Sequence, residues 1–458
     1  MSLSQELIDI IIDEIAEDEQ SLLNLALTSH ACLPRARQHL FRQLCLLPLH
    51  PRGTFIKFWT IERTENHIRK FMELCSHPLS TILHAGPKHV RLATSVKGMY
   101  YGKADKQSHL PVFIELLSWL TSRSPFSSGQ EISCRRRGTR ANSKPTYGER
   151  LFWNAQKLTI SSISPTHGLA ELKTLLLVSP FPRVTRLTLM DADIRSRKCL
   201  SDIVSACPSL EYLSAGVSFD RIPIIKRPVS FPISLTHIEI PTRPYEVLHK
   251  SFFRILETCA TIKDLVLPMR NESEFNDLNQ FLDSSAAVTS RTLKHCKLDL
   301  TWIASSYLIS WARAINFHKV PTWTITGAVG TFAALTSTNE NSTVMPNVTR
   351  IQGLDVVWEV LEQPNIEEMI RNLDNVLSST IRFPCLKEVE ISVHGWFSRE
   401  ELVDSGWDEA TLTVREGSKV HGIMEKKVAR IRALLPKCRD RDLLKMKRTC
   451  NRRICYTR

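Results

Sequence analysis

The chain has 458 residues, 43% hydrophobic and 23% charged, and its 60 Lys and Arg against 47 Asp and Glu give a formal net charge of +13. That hydrophobic content excludes wholesale disorder, and 16 glycines are too few for a collagen-like or glycine-rich architecture. No run reaches the roughly 18 apolar residues of a membrane-spanning helix, and length alone allows about three ordinary domains or one long repeat array.

The first 34 residues hold no Lys or Arg and seven acids between Glu6 and Glu19, the wrong charge for a secretory leader. Twelve cysteines run from Cys32 to Cys455 without a CxxC pair, so neither a disulfide framework nor a zinc ribbon is expected, and no metal site is indicated. Most are expected to be buried apolar residues of a reducing compartment, cytoplasmic or nuclear.

Residues 1–47 read as a small helical unit. Leu7, Ile8, Ile11, Ile12 and Ile15 fall on one helical face, with Ser4 placed to cap it. A second helix carries Leu22, Leu23, Leu25, Ala26 and Leu27, and a third starts at Leu33-Pro34, where proline suits the first turn. Three helices in about 40 residues bury little surface and lean on a partner or on the rest of the chain.

Leu3-Ser4-Gln5-Glu6-Leu7-Ile8 with Ile11-Ile12, then Leu22 to His30, then Leu33-Pro34-Arg35 and His39-Leu40-Phe41-Arg42, resemble the F-box motif in the form found in basidiomycete fungal proteins. The general pattern differs here at four positions, with Ser4 for its proline, Thr28 for its valine, His30 for its arginine and Leu33 for its tryptophan. The resemblance implies docking on a Skp-family adaptor of a cullin-based ubiquitin ligase. Carried over by motif position, the adaptor-contacting residues are Leu3, Leu7, Ile8, Ile11, Leu22, Leu25 and Leu33, any of which could instead build the unit's own core.

Residues 48–396 read as a solenoid. Runs of the form φxxφxφ, with φ apolar, recur at Ala155/Leu158/Ile160, Val184/Leu187/Leu189, Leu210/Leu213/Ala215, Leu235/Ile238/Ile240, Ile262/Leu265/Leu267, Leu293/Cys296/Leu298, Val320/Trp323/Ile325 and Leu386/Val389/Ile391. Val348 and Ile351 begin a further copy that Gly353 breaks, and Val90 and Leu92 mark an opening one. First positions from Ala155 onward are 25 to 38 residues apart, near the leucine-rich repeat period. Helix-like segments lie between copies, so the expected fold class is α/β, a curved parallel sheet with outer helices. No Asn or Cys column marks the turn after each strand, and the repeats are irregular. Leucine-rich repeats behind an F-box are a common arrangement in the family resembled.

Alternation along each strand puts polar residues outward. Arg186, Tyr212, His237, Glu239, Lys297 and Gln352 are the candidate target-binding residues, with simple solvation as the alternative. Residues 121–150 interrupt the array as an expected solvated loop carrying Arg135, Arg136, Arg137, Arg140, Lys144 and Arg150, with Thr139 in a basic context for phosphorylation.

Residues 397–458 read as a helical cap and basic tail. Ser398-Arg399-Glu400-Glu401 is a helix start, and from Met424 to Arg458 there are 13 Lys and Arg against Glu425, Asp440 and Asp442. Such a tail could bind nucleic acid or act as an import signal, or simply be solvated. Phosphate-binding, GxSxG and HExxH motifs are missing, so neither a cofactor nor catalysis is indicated. Cys75 with His77 and His295 with Cys296 are neighbours in sequence, which does not make a nucleophile–base pair. With the resemblance, the expectation is a non-enzymatic receptor joining the adaptor to an unidentified target protein, and the alternative is an interaction scaffold.

Overall fold

The structure, a computed structural model, describes residues 4–46, 61–96, 108–122, 146–161, 181–218, 231–241, 252–408 and 412–452, less a few short stretches within them. Leu3, the cluster from Arg135 to Lys144 and Thr139 lie outside the described residues. The chain divides into two compact units, 1–239 and 240–458. Among the described residues no helix is long and apolar enough to cross a membrane.

The first unit opens with α1 (Gln5–Glu14), α2 (Glu19–Thr28) and α3 (Leu33–Leu40). The Asp18 carboxylate accepts from the backbone N–H groups of Gln20 and Ser21 and starts α2, while Pro34 stands in the first turn of α3, where its missing N–H costs nothing. Ile12, Leu22 and Ala36 form the core of the three helices, flanked by Ile8, Ile15, Leu25, Ala26, Cys32 and Leu40. This core is small, and burial of each large side chain contributes only about 1.5–3 kcal/mol before chain entropy is subtracted.

There follow β1 (Gln43–Leu46), α4 (Ile61–Ser76), α5 (Ile82–Ala85), β2 (His89–Ala93), a small antiparallel pair of β3 (Ser95–Val96) and β4 (Ser108–His109), α6 (Pro111–Thr121), α7 (Tyr147–Phe152), β5 (Lys157–Ser161), β6 (Arg186–Asp193), β7 (Tyr212–Ser218) and β8 (His237–Glu239). Strands β1, β2, β5, β6, β7 and β8 pair in that order, all parallel. Parallel neighbours need a crossover, which the helix Arg197–Ser205 supplies between β6 and β7. Val90, Leu158, Leu187, Leu213 and Ile238 stand in register on the buried side, each no more than 2% exposed.

The second unit repeats the plan with β9 (Asp264–Pro268), β10 (His295–Asp299), β11 (Thr322–Thr326), β12 (Val348–Val357), β13 (Glu388–Phe397) and β14 (Leu444–Arg452), again parallel in chain order. Helix Glu272–Asp283 starts at Asn271, whose side chain accepts from Glu274 N–H, and buries Phe275, Leu278 and Phe281. Every apolar repeat run therefore lies on or beside a parallel strand, and the α/β class expected from the runs is the observed one. The first position of each run, from Ala155 to Leu386, is buried just before its strand or at its start.

Three local expectations change, and one feature is additional to them. Gly353 does not end its repeat; it takes φ +67° at a bulge, and Leu354 moves into the buried register opposite Ile391. A column does mark the repeats, but before the strand and built of small polar residues. Ser209 donates to Pro182 O, Ser234 to Leu210 O, Thr292 to Ile262 O and Asn347 to Val320 O, each reaching the preceding copy. Arg150 is not in a solvated loop, because a capping box of Thr146 and Glu149 starts α7 and buries it.

Finally, the basic C-terminal segment is folded rather than a solvated tail as far as Arg452, where the described residues end: helix Lys419–Ala433 and strand β14 account for most of it. Arg430 pairs with Glu367 at 2.5 Å, Arg448 with Glu425 at 2.8 Å and Arg441 donates to Ser378 O at 2.7 Å, while Lys427 lies over the Phe397 ring. Ser398 and Glu401 form a capping box at the start of helix Arg399–Asp404, as their spacing predicts.

Candidate functional site

Two surfaces gather the residues singled out by sequence. The first is on the three N-terminal helices. At 100° per residue, Ile8, Ile12 and Ile15 point one way from α1, and Leu7, Ile10 and Ile11 form a second stripe about 100° round the helix. Leu7 is 49% exposed, Ile10 56% and Ile11 50%, and on α2 Leu23 and Leu27 are 41% and 87% exposed. Leu22 is buried, and Ile8 and Leu25 pack against the core, so these three serve the unit itself, while Leu33 is half-buried. Ile10 was missed because it lies outside the i, i+4 pattern of the core face.

An ion-pair cluster joins α1 to α3 beside this core. Arg35 donates Nε to Asp13 Oδ1 at 2.6 Å and Nη2 to Oδ2 at 2.5 Å, and His39 Nε2 lies 2.7 Å from Oδ1. Hydrogen bonds from Arg35 and then His39 keep the Asp13 carboxyl well below the usual carboxylate range.

The second surface is the outward side of the strands. In the first unit His89, Lys157, Arg186, Tyr212 and His237 stand in register across β2, β5, β6, β7 and β8, and Arg91, Thr159, Thr188, Ser214 and Glu239 form the row beside them. Tyr212 and His237 stack at 4.5 Å and 16°, the Arg186 guanidinium lies 5.1 Å from the centre of the Tyr212 ring, and the Tyr212 hydroxyl donates to the Glu239 carboxylate. His89 Nε2 is 3.2 Å from Thr159 Oγ1, and burial, then Arg91 and Lys157, push its pKa down. The structure thus brings Arg186, Tyr212, His237 and Glu239 together. His89 and Arg91 join them because they alternate with Val90 and Leu92, a signal the short opening repeat carried.

Within the second unit, Lys297 donates to Gln352 at 3.4 Å diagonally across β11, where Thr324 is in register with Lys297 and Thr326 with Gln352. His295 sits between Thr324 at 2.9 Å and Asp264 at 3.5 Å, and burial lowers its pKa. Arg350 pairs with Glu388 at 2.8 Å and His394 with Asp355 at 3.0 Å, so acids and bases answer one another on this face.

The two sequence-adjacent Cys/His pairs hold buried thiols. His295 faces outward and Cys296 inward on alternate sides of β10, and burial pushes the Cys75 thiol up to about 12, far from thiolate at neutral pH. Among the described residues no group of three or more His, Cys, Asp or Glu could hold a metal ion.

The geometry defines a class, an α/β protein of repeated strand-and-helix units whose exposed strand rows are polar. Neither a protein-family model nor a curated protein matches the chain.

Proposed function

We propose that the chain is the substrate-recognition subunit of a Skp/cullin/F-box ubiquitin ligase, in which an F-box-like unit of α1 to α3 binds the adaptor and a leucine-rich-repeat-like array holds a target protein. The observation that carries this reading is the exposure of Leu7, Ile10 and Ile11 on α1 and of Leu23 and Leu27 on α2, in a unit whose internal core is small. Burying what these five side chains still expose offers roughly 4–8 kcal/mol before the costs of association. The receptor would act by proximity, holding a target where a charged conjugating enzyme meets it at high effective concentration. No catalytic group of its own enters the reading.

The test is capture of a purified Skp-family adaptor by the full chain and by Leu7→Asp and Ile11→Asp, with circular dichroism as the folding control. The expected result is capture by the parent and its loss in both variants. A folded parent chain that fails to capture the adaptor overturns the reading. The scaffold alternative, with nucleic acid on the C-terminal segment, has less support, because Arg430, Arg441 and Arg448 are engaged within the fold.

A further inference from the structure

The two outward rows of the first unit differ from the strand face of the second in how charge is answered. Of the ten positions His89, Lys157, Arg186, Tyr212, His237, Arg91, Thr159, Thr188, Ser214 and Glu239, three are permanent cations and one is an acid. That acid stands on β8, the far end from Arg91 on β2, and accepts the Tyr212 hydroxyl. Among the described residues Arg91, Lys157 and Arg186 have no carboxylate partner, and the Arg91 Nε is buried without an acceptor. Neighbouring strands are about 4.8 Å apart and alternate residues along a strand about 6.6 Å, so the three cations stand on backbone positions within roughly 12 Å of one another, with Thr159 and Thr188 in the row beside Lys157 and Arg186 as hydroxyl donors.

We propose that this cationic end is an oxyanion site for the target, one that takes a carboxylate or phosphate carried on an extended peptide segment of the bound protein. The proposal rests on the receptor reading and gives its target a chemistry. An oxyanion seated between Lys157, Arg186 and Arg91 relieves their mutual repulsion through charge-assisted contacts, to two exposed cations and to the half-buried Arg91. Tyr212 and His237 form an aromatic shelf next to it for the adjoining side chain. The charge order also selects the kind of partner. A nucleic-acid strand laid along the row, about 19 Å long, would bring phosphates onto Glu239, whereas a peptide can place its acid over Lys157 and Arg186 and a neutral or basic residue over Glu239.

The experiment uses the full chain without adaptor, so its outcome is separate from that of the adaptor test. Fluorescent peptides with a central Asp, phosphoserine or Ser in degenerate neutral flanks, and a single-stranded RNA oligomer, are titrated by anisotropy against the parent, Lys157→Glu, Arg186→Gln and, as a control in the other unit, Lys447→Glu. The expected result is that the Asp or phosphoserine peptide binds at least about tenfold more tightly than the Ser peptide, that Lys157→Glu and Arg186→Gln abolish the difference, and that Lys447→Glu leaves it intact. The ratio of phosphoserine to Asp binding tells which oxyanion is preferred. Equal affinity for all peptides, no binding of any, preference for RNA, or full retention in folded Lys157→Glu overturns the proposal.

Discussion

Asp13 on α1 and Arg35 on α3 form a two-point pair, Nε to Oδ1 at 2.6 Å and Nη2 to Oδ2 at 2.5 Å, that ties the first helix of the chain to the third. His39 joins the same carboxylate, so one acid fixes the angle at which α1 carries its exposed Leu7 and Ile11.

Because its partners hold the Asp13 pKa below the ordinary 3.8, the ionised form favours the folded unit. The contribution is fully present above that value and is lost as pH falls through it toward the depressed folded value. Protection factors of the amides along α1 and α3, taken against the intrinsic exchange rate at each pH, should fall below about pH 4. Asp13→Asn should show the faster exchange already at pH 7 and a weaker acid response. Identical exchange in parent and variant at pH 7 would show that the pair holds nothing.

Leu22 and Leu7 separate core from surface on neighbouring helices. Leu22→Ala should cost about 2–5 kcal/mol by leaving a cavity beside Ile12 and Ala36. Leu7→Ala, at an exposed site, should stay within about 0.5 kcal/mol. Limited proteolysis of residues 4–46 reads the difference, and equal sensitivity of the two variants would contradict the packing.

Gly353 has φ +67°, and a Cβ there would stand 2.6 Å from Thr326 Cγ2. Gly353→Ala should lower stability by about 1–3 kcal/mol through left-handed backbone and steric overlap together. Adding Thr326→Ser removes the clashing methyl and should return only the steric part. Thermal unfolding of both variants measures it, and no recovery in the double variant would assign the whole cost to the backbone.

Burial pushes the thiols of Cys75, Cys207 and Cys259 up to about 12, while Cys385 is exposed. At pH 8 the first three should alkylate far more slowly than Cys385 in the native chain and at a similar rate in denaturant. Iodoacetamide labelling followed by peptide mass spectrometry tests this, and fast native labelling of Cys207 would mean that the interior opens.

Particular residues show how much of this was readable. Leu187/Leu189 in the run that opens at Val184 locate a strand because apolar alternation with a period of two buries one face of an extended chain, and Ser398 with Glu401 locates a helix start by spacing alone. Gly353 was misread because a bulge inserts residues that a fixed pattern counts as an interruption. The polar column of Ser209, Ser234, Thr292 and Asn347 went unseen because each residue differs and its acceptor lies 24 to 30 residues upstream. In the C-terminal segment charge hid the strand, since Lys445 and Lys447 face outward from β14 while Leu443 and Cys450 are buried at its ends.

What the sequence determined by itself is local: which residues are extended or helical, where caps fall, and which side of each strand is apolar, since near neighbours and periodicity set these. Only the tertiary structure decided which of Leu7 and Leu22 faces solvent, and that His89, Lys157, Arg186, Tyr212 and His237 share one row. Those outcomes depend on the register of parallel strands joined by long crossovers, and a slip of one residue in any of them would turn its outward residues into the core.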